Sequence, residues 1–203
     1  PVKNMTTAEG GAVTTNNKAL YEKLKLLRSH GITKDPDLLT KNPGPWYYEM
    51  QMLGYNFRMS DISAALGRSQ LKKLEIFKNK RRKIVERYNK AFAQLDNVTT
   101  PFEMSGLDSN FHLYTLQIDF SNIKKTRTEV MNELRDKGVG TQVLYIPVHL
   151  QPYYRTLGWR KGACPVAESY YEKALSLPLF PTMTKSDVGR VIKALKEAVT
   201  TKN

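Results

Sequence analysis

Between Pro45 and Pro101 the chain contains no proline, and most of that interval reads as one helix. Ser60 is a good N-cap, Asp61 stands in the first turn, and Ile62, Leu66, Leu74, Ile84, Tyr88 and Phe92 form an intermittent apolar face. The pattern predicts a helix from Asp61 to about Leu95, spanning roughly 50 Å at the α-helical rise per residue. A helix of that length usually bridges two structural units. The chain is therefore expected to divide into residues 1–96, ending in the long helix, and residues 97–203.

The middle of this helix carries Lys78-Asn79-Lys80-Arg81-Arg82-Lys83, the densest basic run in a chain of formal net charge +13. Such a run can track a nucleic-acid backbone or can be a solvated helix face. No zinc-finger spacing, ribonucleoprotein aromatic signature or second basic stripe accompanies it. The solvated face, partly lining an interface, is the favoured reading, with no nucleic-acid partner. A basic surplus also suits a nucleotide-diphosphate ligand.

Before the long helix, Asn16 or Asn17 can cap a helix reaching about His30, with Gly31 as its stop; His30 reads as a capping or surface residue of the last turn. Residues 31–55 read as a loop, broken by Asp35-Pro36 and Asn42-Pro43-Gly44-Pro45 and followed by Trp46, Tyr47 and Tyr48. Those aromatics can stack a nucleotide base or pack on a neighbouring subunit. After residue 97 the chain alternates between strand and helix. Strands are expected over 112–119 and 139–148, helices over 126–137, 165–174 and 185–199, and an extended piece over 177–180. This mixture makes an α+β unit of about a hundred residues.

Cys164 is the only cysteine, so no intramolecular disulfide can form, and a reducing cytoplasm is the expected setting. No apolar run is long enough to span a bilayer, so no membrane partner is expected. No His/Cys/carboxylate cluster has metal-ligand spacing, and neither a nucleophile elbow nor a Walker sequence occurs. The chain does not open with Met, and it is expected to be the C-terminal portion of a longer polypeptide.

Three stretches hold the candidate functional residues. Pro1-Val2-Lys3-Asn4-Met5-Thr6-Thr7-Ala8-Glu9-Gly10-Gly11 sets a lysine beside glycines that permit a close approach. Taken alone, Lys3 reads as a solvated charge. Gly54-Tyr55-Asn56-Phe57-Arg58-Met59-Ser60-Asp61 leads into a helix N-terminus, where free N–H groups favour an anion. Asn56 can donate to phosphate oxygens and Arg58 can bind bidentately, or the pair is a helix approach with a surface arginine. Tyr145-Ile146-Pro147-Val148-His149-Leu150-Gln151-Pro152-Tyr153-Tyr154 ends a predicted strand among prolines, where a histidine is ordinarily a satisfied structural group.

Taken together these stretches resemble the DegT/DnrJ/EryC1/StrS family of sugar aminotransferases, in three ordered motifs over essentially the whole chain. The resemblance implies a fold-type I aminotransferase of α/β to α+β class: the end of the large pyridoxal-phosphate domain, the long linking helix and the small C-terminal α+β domain. It implies that Lys3 holds pyridoxal 5'-phosphate covalently and is the catalytic residue. It further implies that Asn56 binds the cofactor phosphate across a homodimer with a shared active site. Arg58, Tyr145, His149 and Tyr153 become substrate-binding candidates. The family motif commonly has a histidine where this chain has Leu144, so no role is assigned there. The chain looks closest to the branch serving pseudaminic acid biosynthesis, which implies amination of a UDP-linked 4-keto-6-deoxy-N-acetylhexosamine with L-glutamate as donor. The family's aspartate and serine of the cofactor site precede the lysine. The 203 residues alone are therefore expected neither to bind cofactor tightly nor to turn over substrate.

Overall fold

The computed structural model of the chain describes residues 3–200; Pro1 and Val2 of the opening motif lie outside the described residues. The chain separates after Lys73 into two compact units.

In the first unit, Asn17 caps helix α1 (Lys18–Arg28), its Oδ1 accepting from the Leu20 N–H at 3.1 Å. Contrary to expectation, His30 is not in the last turn; it follows the helix end in a left-handed conformation with φ 58°. Gly31, at φ 68°, returns its N–H to the Leu26 carbonyl at 2.8 Å and closes the helix as its sequence position predicted. The interval read as a loop contains two short antiparallel strands, β1 (Ile32–Thr33) and β2 (Glu49–Met50), in register Ile32 with Met50. Glu49 organises the residues between them, accepting from the Thr40 N–H at 2.8 Å, the Thr40 hydroxyl and the Tyr47 hydroxyl at 2.8 Å. The Thr40 hydrogen bonds, the hydroxyl's first, pull its carboxyl down to about 2.

The long helix expected over 61–95 is two helices, α2 (Asp61–Leu71) and α3 (Leu74–Phe92). At the break the Lys72 N–H reaches the Arg68 carbonyl only at 3.4 Å, and the Lys73 N–H bonds three residues back to Gln70 at 2.9 Å. A tightened turn of this kind interrupts the α ladder without needing proline or glycine. The compact units part at 73/74, whereas the sequence pattern counted the whole helix with residues 1–96. Packing explains the difference: Ile84, Val85, Tyr88 and Phe92 of α3 are buried in the core of the second unit.

That core lies on an antiparallel sheet ordered β3 (Val98–Thr99), β4 (Tyr114–Ile118), β5 (Ala174–Leu177). Tyr114, Leu116 and Ile118 alternate along β4 and are fully buried, which is the period-2 pattern of a strand with one face in the core. Tyr88 of α3 packs on Tyr114 with ring centroids 4.9 Å apart. Helices α4 (Arg127–Asp136) and α7 (Lys185–Val199) add Leu134, Val188 and Leu195 to the same core. Both begin with a capping box, Thr126 with Glu129 and Thr184 with Asp187.

Two expectations change here. Residues 139–148 do not form a strand; only Gln142 pairs, with Ser176, and Pro147 could not have continued a ladder. The extended piece placed at 177–180 is β5, three residues earlier and fully buried. Two short helices, α5 (Pro152–Thr156) and α6 (Pro165–Lys173), complete the unit.

Candidate functional site

The lysine turn is held by its own threonines. Thr6 Oγ1 accepts from the Ala8 N–H at 3.0 Å, and Thr7 Oγ1 donates to the Glu9 carbonyl at 3.0 Å. Ala8 takes a left-handed φ of 67°, which such local bonding sustains. Lys3 itself is exposed, its primary amine available to an aldehyde. Next to it, Asn4 Oδ1 is buried with no hydrogen-bond partner among the described residues.

This turn interlocks with the approach to α2. A Cβ on Gly10 would lie 2.6 Å from Met59 Cε and 2.8 Å from Thr7 Oγ1, and a Cβ on Gly67 would lie 2.8 Å from Thr7 Cγ2. Side chains press on both glycines, and Gly10 also takes a φ of 147° that side-chain-bearing residues rarely adopt. The first and second candidate stretches are thus packed on each other.

The Asn56–Arg58 segment is fastened to the end of α1. The Tyr55 N–H donates to the Leu27 carbonyl at 2.7 Å, the Phe57 N–H to the Arg28 carbonyl at 2.9 Å, and the His30 N–H to the Tyr55 carbonyl at 2.8 Å. Arg58 Nε donates to Asn56 Oδ1 at 3.0 Å, and its Nη2 lies 3.4 Å from His30 Nε2. Ser60 caps α2 as expected, accepting from the Ser63 N–H at 3.2 Å. An amine, an amide donor, a guanidinium and a helix N-terminus make a donor set suited to a phosphorylated aldehyde. The residues present fit pyridoxal phosphate.

The third stretch belongs to the second unit. Tyr145 is 68% exposed and lines an open groove of about 710 Å³ with Pro147, Cys164, Pro165 and Tyr170. Tyr153 is also 68% exposed and packs edge-on against Tyr154, with centroids 5.5 Å apart. His149, a substrate-binding candidate by the resemblance, has a structural partner. Only 8% of it is exposed, in a 3₁₀ turn (Val148–Leu150), and its Nε2 lies 2.7 Å from Oε1 of Glu168. The reason is a buried carboxylate that needs donors. Sequence reasoning missed Glu168, whose only signal is its place one turn after Pro165 in a helix start. The His149 hydrogen bond, ahead of backbone bonds from Gly162 and Cys164, holds its carboxyl below the usual glutamate range.

Most of the basic run is committed within its own unit. Arg81 is buried and donates to the carbonyls of Phe111, His112 and Leu179. Arg82 grips Glu103 through two bonds of 2.9 and 3.0 Å, and Lys78 bonds Asp108 at 2.7 Å. Three of its five cations are thus occupied locally rather than presented to a phosphate backbone. Among the described residues no group of His, Cys, Asp and Glu could hold a metal ion, and no helix is long and apolar enough to cross a membrane.

The model of the DegT/DnrJ/EryC1/StrS aminotransferase family matches residues 1–196. The spore coat polysaccharide biosynthesis protein SpsC of Bacillus subtilis is 40% identical over 199 residues, covering 97% of this chain and 51% of that protein. Among solved structures, PseC of Helicobacter pylori, an aminotransferase involved in the biosynthesis of pseudoaminic acid, superposes with a TM-score of 0.84 at 30% identity; the match covers 97% of this chain and 50% of that one. Spr1654 of Streptococcus pneumoniae, solved in its PMP form, gives a TM-score of 0.83 at 26% identity, over 97% and 50% of the two chains. The chain spans about half the length of the relatives it matches.

Proposed function

The chain belongs to the DegT/DnrJ/EryC1/StrS aminotransferase family and has part of a fold-type I architecture, and on that premise we propose that it supplies the lysine half of a pyridoxal-phosphate-dependent sugar aminotransferase. The observation that carries the reading is the interlock of the Lys3 turn with the segment bearing Asn56 and Arg58. It fixes an imine-forming amine and phosphate-binding donors on one unit, the amine for this copy's site and Asn56 for that of a second copy.

Pyridoxal phosphate, when bound, supplies the electron sink that lets an amino group pass between two carbon skeletons. The residues of this chain do the rest. Lys3 Nζ holds the cofactor between turnovers and, once displaced by the amino donor, takes the proton from the donor's amino-bearing carbon. Asn56 Nδ2 and the N-terminal N–H groups of α2 bind phosphate, with Asn56 serving the site of a second copy in a homodimer. By the resemblance, Arg58 of the first unit and Tyr145, His149 and Tyr153 of the second are the substrate-binding candidates. The donor is L-glutamate and the acceptor a UDP-linked 4-keto-6-deoxy-N-acetylhexosamine, a reading that the likeness to PseC supports. The higher identity to SpsC supports a second reading, amination of a different keto sugar in polysaccharide assembly.

Reconstitution of the full-length protein with pyridoxal phosphate tests the assignment. Borohydride should fix the cofactor to the peptide containing Lys3, and Lys3→Ala should abolish both the visible absorbance and the fixation. Fixation on another lysine would overturn it. A panel of UDP- and dTDP-linked 4-keto sugars then separates the two substrate readings. The 203 residues by themselves should bind cofactor weakly and turn over nothing; stoichiometric binding would refute that.

A further inference from the structure

Glu168 occupies a position that neither the basic chemistry of Lys3 nor phosphate binding uses. It is 6% exposed on the first turn of α6, and its carboxylate collects donors from two separate pieces of chain. His149 Nε2 lies 2.7 Å from its Oε1 on one side. On the other, the Gly162 N–H reaches Oε1 at 2.8 Å and Oε2 at 3.0 Å, and the Cys164 N–H reaches Oε1 at 3.4 Å. Because a carboxylate only accepts, Nε2 of His149 must carry the proton in this contact. Gly162, at φ 92°, gives the turn a conformation that side-chain-bearing residues rarely adopt.

Residues belonging or adjacent to both pieces of chain line the groove. Tyr145 and Pro147 lead directly into the His149 turn and line the groove, while Cys164 both donates to Glu168 and lines it, together with Pro165 and Tyr170 of α6. A single buried carboxylate thus ties both walls to α6. Removing its charge would leave several buried donors competing for one amide oxygen.

We propose that Glu168 is a positioning residue that clasps the Tyr145–His149 wall to the Gly162–Cys164 turn and sets the width of the groove that receives the sugar nucleotide. The role rests on the aminotransferase reading for its ligand, and on the hydrogen bonds alone for the clasp.

The test uses the full-length protein with 3-fluorotyrosine at position 145 and amide exchange followed at Gly162 and Cys164. In Glu168→Gln, exchange at both amides should accelerate at least about tenfold and the fluorine resonance of residue 145 should shift. Binding of the UDP-linked keto sugar should weaken about tenfold, while the half-reaction with the amino donor stays within about twofold. Glu168→Asp keeps the charge but shortens its reach by one methylene; it should give intermediate values in all three, and it carries the test if the glutamine variant fails to fold. Unchanged amide exchange overturns the clasp. Accelerated exchange with an unmoved fluorine resonance overturns the control of the groove. Failure of the aminotransferase reading appears separately, as loss of borohydride fixation at Lys3 in the unsubstituted protein, and the exchange and fluorine measurements still decide the clasp.

Discussion

Arg58 Nε donates to Oδ1 of Asn56 at 3.0 Å, and this bond decides which end of the amide Asn56 offers to anything else. Arginine has donors only, so Asn56 must turn its oxygen toward the guanidinium and present Nδ2–H₂ outward. The same logic makes His30 Nε2, 3.4 Å from Arg58 Nη2, an acceptor in that contact.

On the role proposed for Asn56, Asn56→Asp replaces the outward donor with a carboxylate oxygen and sets a negative charge where the phosphate would bind. Affinity for pyridoxal phosphate should fall more than about tenfold, whereas Arg58→Gln, which releases the amide and removes one cation but adds no negative charge, should cost less. Equilibrium dialysis of the full-length protein checks the order. A larger loss from Arg58→Gln would reverse the assignment.

Gly31→Ala should be among the most damaging single changes in the first unit. The added Cβ would stand 1.7 Å from the Met52 carbonyl oxygen, and φ is 68°. The combined strain and clash should cost about 3 kcal/mol or more. Thermal unfolding of Gly31→Ala beside Gly11→Ala, where an added Cβ meets nothing within 4 Å, measures the difference.

Glu49 makes the loop between β1 and β2 acid-sensitive. Its folded value, about 2, lies below the ordinary glutamate value of 4.5, so its contribution is complete above pH 4.5 and is lost as pH falls toward 2. Trp46, 67% exposed within that loop, should report the release by fluorescence in a Trp159→Phe background. Glu49→Gln should shift the transition upward or remove it; an unaltered acid transition would exclude Glu49 as the titrating group.

In the second unit, the fully buried Tyr88 donates its hydroxyl to the Pro178 carbonyl at 2.9 Å. Tyr88→Phe leaves that carbonyl unpaired and should cost about 1–3 kcal/mol. Leu195→Ala opens a cavity in the same core and should cost about 2–5 kcal/mol. Denaturant melts should show the leucine as the costlier loss.

Much of this molecule was readable from residue order. The cap at Ser60, the cap at Asn17 (one of the two asparagines offered), the stop at Gly31, and the alternation along β4 all act through neighbours a few residues away, and each stands where the pattern placed it. The break between Leu71 and Leu74 was not readable, because no breaker residue marks it and the choice depends on α3 burying Tyr88 and Phe92 against β4. Residues 139–148 failed as a strand for a related reason: β-propensity describes a surface that fits a neighbour, and only Gln142 has one.

The candidate residues divide in the same way. Residue order alone set out the chemistry on offer: a glycine-flanked lysine, an Asn-x-Arg approach to a capped helix, and a proline-punctuated histidine and tyrosine segment. Tertiary structure alone decided their stations. It packed Thr7 against Gly67, turned the Asn56 amide through Arg58, and sent His149 inward to Glu168, nineteen residues away in the chain. Side-chain type sets which bonds a group can make; desolvation at a particular place, among partners distant in sequence, sets which of them it must make.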